Sequence, residues 1–409
     1  MRTEMTSFLE HVSHDEFTLL KLLLADPVGR EELGRRTDTS RATCARLLDG
    51  LAKKGWVERT GFGDSRGGRR PHYWNVVPGA AVAVGVAVEV DQMTAVVTDL
   101  KGGIRAESTQ MLDIGESPEK FIAAVTNVLK EILGRANTSP GRVIGVGVSV
   151  PGLVDQKKGT LGPCAYFNHL DWWRGFPLLT RLAEGVQANF NLDSQSNAAI
   201  VGEHWFGANR AVGSMIYINL EMQGTGVGIL VDGNLFRGAG GAAGEFGHMT
   251  INYEGRLCRC GNRGCMDAYV SGAEIVRKAV EIQKAGGQSL IFEGLRPDEN
   301  PSMKRIVEAS AKGDHIACGI LEETGHFLGI GVASLVNLLN PELVIIGGEV
   351  AGAGPTLLDS ITRAVNRMAL ESVGRSVRIV YAERTATTKA LGTAAIVLHN
   401  VFGSPWKNI

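Results

Sequence analysis

Residues 258–265 read CRCGNRGC, and His248 stands ten residues before the first cysteine. Three cysteines within eight positions, together with a histidine, are typical of a closed structural zinc site. The two glycines allow a tight knuckle in which the three thiolates converge on one ion. Buried or free thiols are the alternative. The segment therefore predicts one zinc ion per chain, bound by His248, Cys258, Cys260 and Cys265.

The segment just before the knuckle, GEFGH at residues 244–248, combines a carboxylate and an imidazole between glycines. These groups suit the recognition of hydroxyl groups. If one ring nitrogen of His248 binds zinc, the other can hydrogen-bond a ligand, so the metal would orient a binding residue. The alternative is that His248 serves only as a metal ligand.

Apolar runs of strand length alternate with helical patterns on both sides of this region. The strand-like runs are 80–90, 93–100, 143–150, 215–220, 226–231 and 343–346, and the helical patterns include 119–133 and 317–339. This alternation predicts an α/β fold. Glycines follow several of the runs, at 152, 224–226 and 347–348, where backbone bends at strand ends allow a ligand to approach.

The composition excludes several classes of protein. The 409 residues include 42 basic and 43 acidic side chains, a net charge of −1, so the chain is not a uniformly basic coat protein. The longest apolar runs fall short of about 18 residues, which predicts no membrane span. The first residues contain acids and lack the apolar core of a secretory signal. Six cysteines are too few for a disulfide framework. We expect a cytoplasmic protein.

The first 77 residues differ from the rest in charge. Residues 28–74 contain eleven basic and six acidic side chains. Helical patterns at 17–24, 30–36 and 41–54 precede strand patterns at 56–59 and 71–77, and Ser40 is a good N-cap for the third helix. Three helices and a hairpin predict a winged helix-turn-helix DNA-binding domain over residues 1–77, with residues 78–409 forming the remainder.

The third helix of this domain would lie in a major groove, and the glycine- and arginine-rich hairpin tip would enter a minor groove. A solvated helix face and a basic loop are the alternative. One such module makes too few contacts for tight specific binding, so we expect a homodimer or tetramer on operator DNA. The candidate DNA-binding residues are Thr39, Ser40, Arg41, Arg46, Arg66, Gly67, Gly68, Arg69 and Arg70.

Taken together, the motifs resemble those of the ROK family (repressors, open reading frames and sugar kinases) over residues 14–409. The motifs that carry the resemblance are GVSVPG at 147–152, QGTGVG at 223–228, GEFGH at 244–248, the knuckle at 258–265, NPE at 340–342, GG at 347–348 and ALG at 390–392. The basic tip after the helix-turn-helix is similar to the DNA-binding arm of the family's repressors, the branch that includes xylose and N-acetylglucosamine repressors.

The resemblance implies a two-lobed, actin-like ATPase fold with a sugar cleft between the lobes, zinc, and transcription control by a sugar. Lobe one would contain residues 80–196 and the C-terminal helix at about 390–409, and lobe two residues 197–389. The cleft would bind a mono- or oligosaccharide. The sugar-binding residues that it implies are Asn168, Gln195, Asn197, Glu245, His248 and Asp267, where Asp267 replaces the family's glutamate.

The sequence departs from the family's kinases at the loop that cradles the phosphates. Their Asp-x-Gly-Gly-Thr motif corresponds to residues 87–91, which read AVEVD. Both glycines are missing, and Val90 would block close approach of a nucleotide. Glu89 and Asp91 would repel ATP phosphates if they face the cleft.

A second departure concerns the catalytic base. The kinases carry an aspartate where this chain has Gln195, which cannot accept a proton at neutral pH. Loss of a general base alone costs about 10²–10⁴ in rate. We therefore predict a sugar-responsive repressor without kinase activity. The alternatives are an ATP-dependent sugar kinase with an added DNA-binding domain, and a regulator whose ligand is another protein.

Overall fold

The structure is a computed structural model that describes residues 12–62, 72–210, 212–296, 298–350, 353–383 and 387–404. Its N-terminal part contains helices α1 (His14–Ala25), α2 (Arg30–Arg36) and α3 (Arg41–Lys53) and strands β1 (Val28–Gly29), β2 (Val57–Phe62) and β3 (His72–Val76). The strands form one sheet in the order β1-β3-β2. The two-residue strand β1 is absent from the sequence prediction, because so short a segment has no detectable periodicity.

Helix α3 forms for the reasons that the sequence suggests. The Ser40 hydroxyl accepts a hydrogen bond from the Thr43 backbone N–H at 3.1 Å, which satisfies a free donor at the helix start. The apolar stripe is buried, as predicted, and consists of Cys44, Leu47, Leu48 and Leu51. Ser13 caps α1 in a capping box with Glu16.

A first five-stranded sheet follows. Its strands are β4 (Val82–Val88), β5 (Gln92–Asp99), β6 (Ile104–Met111), β7 (Val143–Val150) and, after the short pair β8 (Val154–Asp155) and β9 (Thr160–Leu161), β10 (Phe190–Ser194). The order is β10-β7-β4-β5-β6, in which β10, β7 and β4 are parallel. Helices α4 (Pro118–Arg135) and α5 (Leu178–Gly185) belong to this half.

A second five-stranded sheet has the order β13-β12-β11-β14-β15. Its strands are β11 (Met215–Glu221), β12 (Gly224–Val231), β13 (Asn234–Leu235), β14 (Leu343–Gly348) and β15 (Arg378–Tyr381). The helices of the second half are α6 (Gln195–Phe206), α7 (Asp267–Val270), α8 (Gly272–Lys284), α9 (Met303–Ala311), α10 (His315–Leu339), α11 (Pro355–Met368) and α12 (Glu371–Gly374). The last helix, α13 (Thr388–Phe402), packs on strands of the first sheet.

Helix α10 is long and apolar enough, by length and composition alone, to cross a membrane. It packs along α11, and its buried side chains include Leu321, Leu328 and Val332 in the core of the second half. A central helix of a globular core has these properties, so the helix is weak evidence for a span.

Helices α6 and α13 pack along each other and connect the two sheets. Helix α6 contacts β11 and β12, whereas α13 contacts β4 and β7 of the first sheet. The helices approach closely where they cross. A Cβ atom built at Gly202 would lie 2.8 Å from the Gly392 Cα, so only glycines allow this contact.

The same two helices reach the N-terminal part. Phe402, at the end of α13, stacks on Phe17 of α1 with ring centroids 5.3 Å apart. The Lys101 ammonium donates to the backbone carbonyls of Leu23 and Leu24 at 3.1 and 2.8 Å, which satisfies carbonyls at the end of α1. The apolar cores of the N-terminal part and of the helix pair form one continuous cluster.

Candidate functional site

A cavity of about 470 Å³ lies between the two sheets. Residues at the end of β7, at the start of α6, and along β11 and β12 line it, together with the loop at 241–248. Parallel strands β4, β7 and β10 end at this side of the first sheet, which is where ligands bind in α/β folds. The position and size suit a small polar ligand.

Five of the six residues predicted to bind sugar line this cavity: Asn168, Gln195, Glu245, His248 and Asp267. The Gln195 side-chain amide donates to the Val88 carbonyl at 2.6 Å, which fixes the start of α6 to the end of β4. The Asp267 carboxylate accepts from the Thr225 backbone N–H at 2.8 Å. Burial raises the pKa of Asp267, an effect that the His248 ring and the hydrogen bond from the Thr225 backbone N–H partly offset.

Asn197 does not line the cavity, in contrast to its prediction as a sugar-binding residue. Its side chain is 2% exposed, and its amide donates to the Asp193 carboxylate at 2.7 Å. Asn197 lies two residues after Gln195 on α6, about 200° around the helix, so the two side chains project in opposite directions. Asn197 is therefore a structural residue that holds Asp193.

The four predicted metal ligands lie together. The Nδ1 atom of His248 and the Sγ atoms of Cys258, Cys260 and Cys265 are all within 4.8 Å of one another. The Cys260 and Cys265 sulfurs are 3.7 Å apart, and Cys258 Sγ is 3.9 Å from His248 Nδ1. Tetrahedral coordination with Zn–S bonds of about 2.3 Å separates two sulfurs by about 3.8 Å. The donor set and its spacing thus fit a metal ion of this kind.

The two ring nitrogens of His248 face different partners. Nδ1 points toward Cys258, whereas Nε2 lies 3.8 Å from the Glu245 carboxylate in the cavity. Cys260 also lines the cavity. A metal held by the knuckle would therefore fix the ring that faces the ligand space, as the sequence predicts.

Beyond Gln195, a buried ion-pair cluster occupies one end of the cavity. The Lys389 ammonium, at the start of α13, bonds to Glu89 and lies 2.8 Å from the Glu221 carboxylate. Glu89 thus faces the cavity, as the predicted repulsion of ATP requires. Asp91 does not line the cavity and is exposed, so it does not meet the condition under which it would repel phosphates.

Burial alone would lower the pKa of Lys389, but the carboxylates of Glu221 and Glu89 outweigh this effect and raise it. Lys389 is therefore charged at neutral pH. Burial raises the pKa of nearby Glu349, and repulsion by Glu221 adds to that effect, whereas Lys389 opposes it. Two carboxylates, Glu89 and Glu221, thus pair with one ammonium, and the charge of a third, Glu349, lies near enough to interact with them.

Sequence reasoning missed Lys389, Glu221 and Glu349. Each is next to a glycine motif that the sequence analysis did identify: Lys389 precedes the motif at 390–392, Glu221 precedes 223–228, and Glu349 follows 347–348. The sequence did contain a signal for these residues, because each is a charged side chain beside a glycine motif at the end of a strand or helix.

On the N-terminal part, Ser40, Arg41 and Arg46 are exposed, and Thr39 is partly exposed. Arg41 forms an exposed ion pair with Glu31 at 2.9 Å, and Arg46 projects from the opposite side to the buried stripe of α3. The five other candidate DNA-binding residues, Arg66, Gly67, Gly68, Arg69 and Arg70, lie outside the described residues.

Fold and cavity together define a two-lobed α/β protein of the sugar-kinase type that carries an additional N-terminal domain. The chain belongs to the ROK family, whose model matches residues 83–400. A second model, the HVO_A0261 N-terminal domain, matches residues 4–92. These findings confirm the predicted family and the predicted α/β sugar-kinase-like fold with an additional N-terminal domain.

Two relatives match along most of their length. A xylose repressor of Caldicellulosiruptor bescii is 30% identical over 393 residues, which is 96% of this chain and 97% of the relative. The DNA-binding transcriptional dual regulator NagC of Escherichia coli is 26% identical, over 91% of this chain and 88% of NagC. Both are named as regulators of transcription.

Two solved structures are similar in fold. A ROK family transcriptional regulator, a homologue of the Escherichia coli MLC protein, matches with a TM-score of 0.80 at 21% identity, over 99% of this chain and 98% of that one. A ROK family glucokinase from Streptomyces griseus, in complex with glucose and AMPPNP, matches with a TM-score of 0.66 at 28% identity, over 77% of this chain and 99% of the glucokinase. The glucokinase match excludes about a fifth of this chain.

Proposed function

We propose that this protein is a transcriptional repressor that binds operator DNA through residues 1–77 and is released when a sugar occupies the cavity. The observation that carries the proposal is the helix pair. Gln195 begins α6 and Lys389 lies near the start of α13, both in the cavity, while Phe206 and Phe402 end the same helices beside the N-terminal part. A change in the cavity would therefore displace the DNA-binding domain.

DNA binding is supported by the arrangement of α3. Its capped start and its exposed arginines are the features of a recognition helix, whose N-terminal residues contact bases in a major groove. The tip between β2 and β3 would add minor-groove contacts. A homodimer would set two such helices about 34 Å apart, so a shift of a few ångströms on sugar binding would weaken operator affinity.

Sugar binding is supported by the hydrogen-bonding groups of the cavity. The residues expected to contact the sugar are Asn168, Gln195, Glu245, His248 and Asp267. The name of one relative, a xylose repressor, also supports a sugar as the effector. Residues 78–409 would form the sugar-binding region, and the protein would act in the reducing cytoplasm, where three thiolates can hold a metal.

Replacing Glu245 by alanine is expected to separate the two activities. Operator affinity should stay within about twofold, because Glu245 lines the cavity and is not part of the N-terminal domain. Sugar, in contrast, should no longer release the DNA. Gel-shift titration with and without monosaccharides measures both. Glu254→Ala, an exposed acid outside the cavity, is the matched control and should respond normally. Retained release by Glu245→Ala would contradict the site.

The metal is proposed to be zinc, one ion per chain, because Cys₃His is a structural zinc set. Cys260→Ala should reduce the bound zinc to well below one ion per chain, measured by mass spectrometry of the purified protein. It should also weaken the sugar response through His248. Cys318→Ala, a cysteine far from the knuckle in sequence and outside the cluster, is the control. Normal zinc content in Cys260→Ala would show that the ligand set is wrong.

The second candidate is a sugar kinase with an added DNA-binding domain, which the likeness to the glucokinase favours. Two features speak against it. Gln195 stands at the position that the resemblance gives to the catalytic base. The Glu89–Lys389 ion pair lies in the cavity at segment 87–91, which replaces the phosphate loop of the kinases. We therefore propose that the protein is not an enzyme. ADP release near 1 s⁻¹ with glucose, N-acetylglucosamine, mannose or xylose, in the usual enzyme range, would overturn this proposal.

A further inference from the structure

The cavity that is proposed to bind sugar has an excess of negative charge. Among the described residues that line it, four are carboxylates and two are basic: Glu89, Glu221, Glu245 and Asp267, and His248 and Lys389. None of these lining residues is an arginine, the side chain best suited to hold a phosphate. An anionic ligand would meet repulsion at several points.

Lys389 carries the ammonium group that lines the cavity in the described part of the chain, and this group is already paired. Lys389 bonds to Glu89 and, at 2.8 Å, to Glu221, and its side chain is 13% exposed. Glu89 follows β4 in the first half, and Glu221 ends β11 in the second half, so the lysine joins the two lobes. A phosphate group that used the remaining N–H of this ammonium would lie beside two carboxylates and be repelled by them. Displacing them instead would leave two buried carboxylates without a counter-charge.

Two uncharged groups in the same cavity lack a partner. Asn219 and Thr225 are 4% and 5% exposed, and Asn219 Oδ1 and Thr225 Oγ1 have no hydrogen-bond partner among the described residues. Both residues line the cavity, on the paired strands β11 and β12. A buried polar atom without a partner is costly, so such atoms mark places where a ligand supplies the missing hydrogen bond. Each of these oxygens can accept the one O–H of a sugar hydroxyl, so two hydroxyl groups would satisfy both.

We infer that the cavity selects an uncharged, hydroxyl-rich sugar and rejects the phosphate ester of the same sugar. Glu89, Glu221 and Lys389 cause the rejection. Asn219 and Thr225 are additional specificity residues that bind sugar hydroxyls. This inference rests on the proposed function, since it names the class of effector for the same site.

The test compares each sugar with its own phosphate ester on the full-length protein. Calorimetric titration uses xylose, glucose and N-acetylglucosamine beside xylose 5-phosphate, glucose 6-phosphate and N-acetylglucosamine 6-phosphate. We expect the sugar that binds best to lose at least 100-fold in affinity on phosphorylation. A loss of less than tenfold, or tighter binding of an ester, would overturn the inference but leave a sugar-responsive repressor. Binding of none of the six would overturn the proposed function as well.

Variants assign the roles. In the double variant Glu89→Gln, Glu221→Gln, the ammonium of Lys389 loses its two counter-charges and can attract a phosphate. The ratio of the affinity for the uncharged sugar to that for its phosphate ester should therefore fall at least tenfold. Thr225→Val keeps the shape but removes the hydroxyl, and it should weaken the uncharged sugar at least fivefold. Glu254→Gln is the matched control and should leave the ratio unchanged. If the double variant has the same ratio of sugar affinity to ester affinity as the wild type, the two carboxylates do not cause the rejection. The ratio measured for the wild type decides the inference even if a variant does not fold.

Discussion

Gly392→Ala is expected to destabilise the protein by about 3 kcal/mol or more, despite adding a better helix former. A Cβ atom at position 392 would lie 2.0 Å from the backbone oxygen of Ala198, where α13 crosses α6. A backbone oxygen in a helix cannot move aside without shifting the whole helix. The gain in helix propensity, about 1 kcal/mol at most, is too small to compensate.

Gly319→Ala is the matched control. Gly319 is also inside a helix, α10, but a Cβ atom there would meet nothing within 4 Å. This substitution should leave stability unchanged or raise it by up to about 1 kcal/mol. Urea unfolding of the two variants and the wild type gives the comparison. Equal stability of Gly392→Ala and the wild type would show that the helices do not cross as closely as described.

The Gly392 variant also tests the path between cavity and DNA-binding domain. Separating α6 from α13 by the width of a methyl group should uncouple the cavity from the N-terminal part. In the folded fraction, we expect operator binding that sugar releases only weakly. A normal sugar response would exclude the helix pair as the connection.

The second large effect is expected at Arg237. Its guanidinium donates twice to one oxygen of the Asp193 carboxylate, at 3.0 and 2.8 Å, and Asp193 is 1% exposed. Arg237→Met would leave a buried carboxylate without its counter-charge, which costs about 3–5 kcal/mol. Urea unfolding at neutral pH should show this decrease in the free energy of unfolding.

An exposed pair provides the control for Arg237. Arg375 and Glu371 lie 2.8 Å apart, but both side chains are about three-quarters exposed. Arg375→Met should therefore cost at most about 1 kcal/mol. The double variant Asp193→Asn, Arg237→Met should recover part of the loss, because the unpaired charge is gone. If Arg237→Met and Arg375→Met cost the same, the Asp193 pair is not buried as described.

Asp193 also explains why the pair matters for the sugar site. The second oxygen of its carboxylate accepts from the Ser194 backbone and from Asn197, at 2.9 and 2.7 Å, so it fixes the start of α6 beside Gln195. Arg237 begins the loop that leads to Glu245. Loss of the pair should therefore weaken the sugar response as well as stability.

Local patterns in the sequence predicted much of this architecture. The stripe and cap of α3 depend on residues three and four apart, and strand β7 has the predicted bounds of 143–150. The metal cluster was predictable because its three cysteines are close in the chain, and a turn brings them together whatever the surrounding fold. Strand β6, with alternating exposure and few apolar residues, gave a weaker pattern and was not predicted.

The cavity was less predictable because distant segments build it. Lys389 meets Glu89, which is 300 residues away, and a pairing of that kind leaves no local pattern. Asn197 is the opposite case, a residue that the sequence placed in the site although the structure does not. It belongs to a recognisable motif, but its direction depends on the rotation of α6, which turns it toward Asp193. Family resemblance identified the motif without giving the direction of each side chain.

The central claim is that sugar in the cavity releases the protein from DNA. The most direct measurement is binding of the purified protein to DNA from upstream of its own gene and of neighbouring sugar operons, at fixed salt, with and without a panel of mono- and oligosaccharides. We expect specific binding that one sugar reduces by about 5–150-fold, a coupling of about 1–3 kcal/mol. Specific binding that no sugar changes, or no specific binding at all, would contradict the account.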